Sequence, residues 1–470
     1  MPETLVVSIS GIRGVFGNGL SPDIIVQYAS AYGDWILRNW KPVATNSGGL
    51  GHAVQPVVVV GRDARVTGQI CSDLVISTLL SQGISISDAG LATTPTVEMA
   101  VIKEKAQGGI VLSASHNPAE WNALKLLNQD GEFLSPTDAQ WVIDHAKSSE
   151  RTWCAYDQKG AVVQRDYLEY HISKVLDLPE IKPQEIQKRN FKVVVDAVNS
   201  VGGIAIPALL RSLGLKPENI VELHCEPTGI FAHPAEPLPE NLTEICEKVR
   251  DVKADLGIVV DPDADRLALI ADGGVYVSEE LTQVLAAAFW WQYHSGPFVT
   301  NLSSSRAIEL VAQTMGQDTF RSAVGEINVV EEMKARSAVI GGEGNGGVIL
   351  PALHYGRDAL VGVAMILQYL TEKGRSLSDV LAEIPPLHMV KMKTNIGSLN
   401  PDTLLSAMAE KYKNERISTI DGVKIDFETG WVHMRKSNTE PIIRVYAEAS
   451  SKQAAEGLGR RFMEELLAAG

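Results

Sequence analysis

An α/β fold of several domains is what the sequence predicts, and three observations predict it. The order apolar strand, helix, strand occurs three times: 57–60, 70–80 and 84–86; then 191–196, 207–213 and 221–223; and, less cleanly, 297–301, 304–315 and 319–321. Such repeats read as three related layers of helices around mixed sheets rather than one very large barrel. A chain of 470 residues also exceeds the comfortable size of one hydrophobic core, so two to four domains are expected. Finally, the pattern changes after Pro385-Pro386. Residues 422–427 and 430–434 alternate as a hairpin, 442–446 form an apolar strand, and 452–467 have helical spacing that would pack on that sheet, which gives a smaller C-terminal α+β domain. The expected domains are 1–156, 157–275, 276–384 and 385–470.

Charge and cysteine usage narrow the class. With 42 basic against 57 acidic residues and a formal charge of -15, the chain is not built for nonspecific attraction to nucleic acid or anionic lipid. A small anionic substrate fits only where basic residues converge locally. The four cysteines, Cys71, Cys154, Cys225 and Cys246, form no CxxC pair, which favours a reduced cytoplasmic protein over a disulfide scaffold. No apolar stretch is long enough to span a membrane, and no basic segment followed by an apolar run opens the chain. A cytosolic monomer or homodimer is expected, with no nucleic-acid or membrane partner.

The motifs fall in order between these elements. Residues 5–9 read as a strand ending at Ser10-Gly11-Ile12-Arg13-Gly14, where two glycines around Arg13 permit a tight, exposed turn offering N–H groups and a cation to phosphate; an ordinary turn has the same composition. Ser21-Pro22 caps a helix over 24–36, and 46–51 reads as a flexible surface insert. The strand at 109–112 then feeds Ser113-Ala114-Ser115-His116-Asn117-Pro118, a placement that holds the Ser115 hydroxyl above a sheet edge without burying it, as phosphoryl-accepting chemistry requires. An ordinary polar turn would look alike.

After the apolar run 256–260 comes Asp261-Pro262-Asp263-Ala264-Asp265-Arg266. Carboxylates at alternating positions can converge in a turn on a hard divalent cation, for which Mg2+ is the first choice, with a phosphorylated Ser115 completing its shell. Arg266 either neutralises phosphate beside the metal or pairs with an aspartate. The loop lacks the twelve-residue pattern of a calcium helix-loop-helix, and a solvated acidic turn shares its spacing. Gly341–Gly347 lacks the Gly-Lys-Ser/Thr ending of a nucleotide loop. Its glycines allow close approach to a ligand, with Glu343 and Asn345 able to read sugar hydroxyls. Near the C-terminus Arg435, Ser437, Asn438 and Thr439 supply a planar cation and several donors, a phosphate cradle or a solvated loop.

In this order, over nearly the whole chain, the motifs resemble the alpha-D-phosphohexomutase family. The resemblance implies a four-domain, heart-shaped enzyme whose terminal domain closes over a central cleft. It implies that Ser115 is a phosphoserine and that Asp261, Asp263 and Asp265 bind Mg2+ with it. Glu343 and Asn345 would contact sugar hydroxyls, and the Arg435 loop with Ser437, Asn438 and Thr439 would hold the nonreacting phosphate. Lys125 lies at the family's lysine position, where it assists proton transfer or stabilises charge, although the residue alone also reads as a surface cation.

The reaction so implied moves phosphate between Ser115 and a hexose monophosphate through a hexose 1,6-bisphosphate. Many bacterial members end the sugar loop with a histidine, and this chain has Gly347 there, which leaves Arg13, Lys125 and His116 as acid/base candidates, His116 rather as a loop-orienting residue. The glycine-rich loop is similar to a branch of phosphoglucosamine and phosphomannose mutases, which favours glucosamine phosphate over mannose or glucose phosphate. A serine-phosphate phosphatase and a non-catalytic phosphosugar-binding protein are the competing classes.

Overall fold

The computed structural model describes residues 4–41, 55–397, 399–436 and 442–469, so the expected insert at 46–51 and Ser437, Asn438 and Thr439 lie outside the described residues. The chain divides into two compact units, Met1–Thr282 with Gly346–Ser378, and Gln283–Asn345 with Asp379–Gly470.

The first unit holds two mixed sheets. In the larger, strand Val57–Arg62 lies between Ser85–Leu91 and Gly108–Leu112, parallel to both, and Trp121–Leu127 runs antiparallel beside the last. Val58, Val59 and Val60 are fully buried because helices cover both faces, which is why this strand reads as an unbroken apolar run. The second sheet repeats the arrangement: Val193–Asp196 lies between Ile220–Leu223 and Leu256–Val260, with Leu267–Ala271 antiparallel next in line. Parallel central strands deliver their carboxyl ends to one edge, so the loops after Arg62, Leu112, Asp196 and Val260 are all strand-end loops, where α/β sheets place their ligands.

The helices expected over 24–36, 70–80 and 452–467 form as Pro22–Asn39, Gly68–Ser81 and Lys452–Ala468, whereas that expected over 207–213 starts earlier, as Gly202–Ser212, and that over 304–315 is shorter, as Ala307–Thr314. Pro22–Asn39 has proline in its first turn, and its cap residue Ser21 turns its hydroxyl to Asp23 instead of to the helix backbone. Ala359–Lys373 is buried on nearly every face and packs on Leu267–Ala271 and on the helices Leu168–Leu176, Pro183–Arg189 and Gly202–Ser212.

The Gly11–Gly14 segment departs from expectation. It is not an exposed turn but part of a buried strand, Gly11–Phe16, paired antiparallel with Val6–Ser8 and with Trp121–Leu127. Gly11 is required for packing: at φ +125°, a Cβ would sit 2.6 Å from the Leu124 carbonyl oxygen.

In the second unit, Phe298–Asn301 runs parallel to both Thr319–Ser322 and Ile340–Glu343, the third occurrence of the repeat. A five-stranded antiparallel sheet follows, in the order His388–Asn395, Ile442–Ala449, Gly430–Lys436, Val423–Phe427, Arg416–Ser418. Helix Lys452–Ala468 packs on it through Phe462 and Leu466. Strand His388–Asn395 and helix Pro401–Lys411 were not anticipated from the sequence.

His433, on Gly430–Lys436, is buried. Its Nε2–H donates to the Asp421 carbonyl oxygen at 2.6 Å, and its Nδ1 accepts from the Ser303 hydroxyl at 2.9 Å. Burial, the largest influence, pushes the imidazole down to about 4. The unfolded chain therefore takes up a proton that the folded state refuses. Stability present above pH ~6.5 is lost as pH falls toward 4, by about 3 kcal/mol at full extent. His433→Gln should flatten that decline when thermal midpoints are compared between pH 7 and 4.5, and a parallel decline in parent and variant would remove His433 as its source.

Candidate active site

The serine loop begins where the buried strand Gly108–Leu112 ends. Ser113 Oγ accepts from the Ser115 backbone N–H at 2.9 Å, and Ser115 itself adopts the left-handed region at φ +49°. Contrary to expectation, its hydroxyl is not held clear of the protein, for the residue is only 7 % exposed. Arg65 is the reason. Its fully buried guanidinium donates to the carbonyl oxygens of Ser115 (2.5 Å), Asn117 (2.8 Å), Pro118 and Trp121 (3.0 Å), drawing the loop inward. Arg65 is in turn fixed by Asp63, which accepts from its Nε at 3.0 Å and its backbone N–H at 2.9 Å. One arginine thus donates to four loop carbonyls, of which Pro118 also accepts from Trp121 N at 3.1 Å.

Opposite lies the loop after Leu256–Val260. Asp261, Asp263 and Asp265 are fully buried, with carboxylate oxygens within 4.8 Å of one another. Ala264, at φ +52°, turns the chain so that alternate side chains converge instead of pointing to opposite faces. Ser200 braces this loop from below, donating to the Pro262 carbonyl at 2.6 Å while accepting from the Ala64 N–H at 3.2 Å.

Asp263 and Asp265 are held at one oxygen each, whereas Asp261 is held at both, its Oδ1 accepting from Arg266 N at 3.2 Å. Asp261 Oδ2 accepts from the Ser115 hydroxyl at 2.6 Å; Asp263 Oδ2 accepts from Lys125 Nζ at 2.6 Å and Thr94 Oγ1 at 2.5 Å; Asp265 Oδ2 accepts from Arg357 Nη2 at 2.6 Å. Arg266 Nε lies 3.9 Å from Asp261 and 3.8 Å from Asp265.

These contacts set the electrostatics. Burial, then repulsion from Asp265 and Asp263, raises Asp261 well above the usual carboxylate range. Burial acts in the same direction on Asp265, but Arg357, Lys125 and Arg266 outweigh it and hold that group low. Burial opposes the charge on Lys125, yet Asp263 and Asp265 prevail and raise its pKa, so it is no surface cation. His116 is driven well below its ordinary value by Arg266 first, then burial and Arg13, which leaves a neutral ring.

The donor set fits a hard divalent cation. Asp263 Oδ1 and Asp265 Oδ1 are buried and accept no hydrogen bond among the described residues, an arrangement costly unless a cation faces them. With Asp261 and an oxygen on Ser115 they could hold Mg2+. Asp263→Asn should weaken Mg2+ binding by tenfold or more, roughly 1.4 kcal/mol, and lower turnover with it. An asparagine that keeps its oxygen toward Lys125 and Thr94 presents its NH2 to the metal, so either orientation sets a donor against a cation. Calorimetric Mg2+ titration alongside turnover checks this, and parent values in both would remove Asp263 from the site.

The structure therefore brings together Ser115, His116, Lys125, Arg13, Asp261, Asp263, Asp265 and Arg266 in the first unit. Glu343, Asn345 and Arg435 belong to the second. There Glu343 is buried, with Oε1 accepting from Asn301 Nδ2 at 2.8 Å and Gly325 N at 3.2 Å, and Oε2 from Asn345 Nδ2 at 3.4 Å. Arg435 Nε lies 3.7 Å from Asp421. Arg65, Thr94 and Arg357 were missed as site residues. Arg65 had a signal in its position just past the end of a buried strand, within Gly61-Arg62-Asp63-Ala64-Arg65.

A buried serine hydroxyl beside three carboxylates and several cations, at the strand ends of an α/β fold, defines the class as a metal-assisted phosphotransferase. Four family models match in succession: the phosphoglucomutase/phosphomannomutase alpha/beta/alpha domains I, II and III over residues 5–152, 166–274 and 278–388, and the C-terminal domain over 390–465. A phosphoglucomutase/phosphomannomutase of Thermococcus kodakarensis is 33% identical over 97% of this chain and 98% of its own. A probable phosphoglucosamine mutase of Methanopyrus kandleri is 32% identical over 97% and 96%. Among solved structures, a phosphoglucomutase/phosphomannomutase family protein of Burkholderia thailandensis superposes with a TM-score of 0.82 at 23% identity, covering 99% of this chain and 98% of that one, a likeness of fold. The chain belongs to the phosphoglucomutase/phosphomannomutase family and is an intramolecular phosphotransferase of the phosphohexomutase type. Among the described residues no helix is long and apolar enough to cross a membrane.

Proposed function

We propose that the protein interconverts hexose 6-phosphate and hexose 1-phosphate through a phosphate on Ser115, with glucose and mannose phosphates as preferred substrates. The observation that carries the phosphoserine assignment is the 2.6 Å contact of Ser115 Oγ with Asp261 inside the converging carboxylates. In the forward half-reaction the sugar hydroxyl attacks the phosphoryl group, the P–Oγ bond breaks as the new P–O bond forms, and the hydroxyl proton leaves to His116, the one neutral group among the three acid/base candidates, since Arg13 and Lys125 already carry theirs. Mg2+, held by Asp261, Asp263 and Asp265, would offset charge on the transferring group. Lys125 and Arg266 supply fixed positive charge to the same region, and Arg65 keeps the nucleophile's loop in place. The hexose 1,6-bisphosphate then returns its other phosphate to Ser115. Glu343 and Asn345 read sugar hydroxyls, and Arg435 with Ser437, Asn438 and Thr439 holds the nonreacting phosphate.

Support for neutral hexoses comes from Glu343, which accepts from the neutral donors Asn301, Gly325 and Asn345, surroundings that suit the reading of sugar hydroxyls. The name of the Thermococcus kodakarensis relative agrees. Glucosamine phosphate, suggested by the glycine-rich loop, is the second reading, and the name of the Methanopyrus kandleri relative favours it. Catalytic efficiencies on glucose, mannose and glucosamine 6-phosphates, each primed with its 1,6-bisphosphate and Mg2+, discriminate the two. Glucose or mannose phosphate should lead by at least about tenfold. A lead for glucosamine phosphate would reverse the substrate order, and release of free phosphate in place of isomerised sugar would overturn the mutase reading.

A further inference from the structure

Behind the metal loop lies a second buried cluster that phosphoryl transfer does not use. Asp358 Oδ2 accepts from His171 Nε2 at 2.9 Å and from His354 Nε2 at 3.3 Å, while its Oδ1 caps helix Ala359–Lys373 by accepting from Leu360 N (2.8 Å) and Val361 N (3.3 Å). The outer nitrogens face polar groups as well: His171 Nδ1 lies 3.0 Å from Thr96 Oγ1, and His354 Nδ1 lies at ion-pair distance, 3.3 Å, from Glu98 Oε2, without hydrogen-bond geometry. Five buried polar side chains thus tie residues 354–358 to helix Thr94–Glu104 and helix Leu168–Leu176. Burying two carboxylates beside two imidazoles stabilises a fold less well than apolar packing of the same volume would, so a network of this kind points to a positional role.

The residue positioned is next in the chain. Arg357 precedes Asp358, and its guanidinium reaches Asp265 at 2.6 Å. The backbone on either side is fixed too, with Asp358 N donating to Val348 O at 2.8 Å and Ala359 N to Ala264 O, inside the metal loop, at 3.3 Å. We propose that the chain Thr96, His171, Asp358, His354, Glu98 is a positioning device for Arg357, holding its guanidinium on Asp265 so that the third carboxylate of the metal loop is oriented before metal and substrate arrive. The histidines and Asp358 are positioning residues that act through Arg357. This rests on the reading of Asp261–Asp265 as the Mg2+ loop. Burial disfavours charge on His354, but Asp358 and Glu98 outweigh it and raise its pKa to about 10, in keeping with an imidazolium shared between two carboxylates.

The test is a double-mutant cycle read in Mg2+ affinity without substrate, in kcat and in KM. His354→Leu and His171→Leu should each weaken Mg2+ binding and lower kcat by about tenfold, with KM for the sugar phosphate changed less than about twofold. His171→Gln, whose amide N–H can still donate to Asp358, should recover most of the loss. In an Arg357→Ala background, His354→Leu should cost nothing further. Should a leucine variant not fold, His354→Ala, which removes the donor to Asp358 without adding bulk, takes its place in the cycle. A folded His354→Leu with parent Mg2+ affinity and kcat, or losses that add to those of Arg357→Ala, would overturn the inference. So would about one equivalent of zinc in the purified parent that His354→Leu lacks, because the cluster would then be a metal site in its own right. Absence of Mg2+ binding by the parent would instead sink the reading of the aspartate loop beneath it.

Discussion

Ser115→Ala is expected to lower mutase turnover at least about a thousandfold while leaving the protein folded. The hydroxyl is the only atom removed, and the phosphoryl group has no other acceptor at that point of the loop. The stability cost is confined to one hydrogen bond, that from Ser115 Oγ to Asp261, worth about 1 kcal/mol, and alanine tolerates φ +49° no worse than serine. The thermal midpoint should therefore move by a few degrees at most. Intact-mass measurement after incubation with a hexose 1,6-bisphosphate, followed by peptide localisation, should find phosphate on Ser115 of the parent and none on the variant. Undiminished activity in S115A, or phosphate located elsewhere, would overturn the assignment.

The largest combined effect on stability and activity is expected from Arg65. Arg65→Met fills much the same volume but leaves the fully buried Asp63 carboxylate without its ion pair and the carbonyls of Ser115, Asn117, Pro118 and Trp121 without their shared donor. Removing one partner of a buried pair costs about 3–5 kcal/mol, and the lost hydrogen bonds to the loop carbonyls add to that. The serine loop should lose its inward seat, so kcat should fall by two orders of magnitude or more in whatever fraction folds. Arg65→Lys keeps the charge but not the planar fork that reaches four acceptors, and should fall between parent and methionine. Denaturation midpoints and turnover on the three proteins decide it. A methionine variant as stable and active as the parent would show that the loop holds its shape without Arg65.

Much of the site could be read as chemistry of short range. The spacing Asp-Pro-Asp-Ala-Asp after the apolar run 256–260 already says that three carboxylates share one turn, and Ser115 after 109–112 already says that a hydroxyl sits at a strand end. The strand Val57–Arg62 and its counterpart Val193–Asp196 were legible for a related reason, because a strand covered on both faces needs apolar residues without interruption. The segment His388–Asn395 was not. Val390 and Met392 face the core, but Lys391 and Lys393 break the apolar run, and its role as partner to Ile442–Ala449 lies in a pairing some fifty residues away along the chain. Gly11-Ile12-Arg13-Gly14 misled in the opposite sense. Its glycines read as turn punctuation, whereas Gly11 is small because the Leu124 carbonyl of the neighbouring strand leaves no space for a Cβ.

What the sequence determined by itself is the repeated α/β plan, the serine and aspartate loops, and the family resemblance these motifs carry. Only the tertiary structure decided which charges meet. Lys125 and Asp263 are 138 residues apart, Arg65 and the Ser115 carbonyl 50, and Arg357 and Asp265 92. A lone arginine or lysine on a strand or loop has the same composition whether it points to water or to a carboxylate. Helical and strand periodicities record which face of an element is apolar, and they hold no record of the partner across the fold. The side chains that tune Asp261, Asp263 and Asp265 therefore became identifiable only when parallel strands delivered their loops to one edge, where burial makes every unpaired charge costly and so specifies its partner.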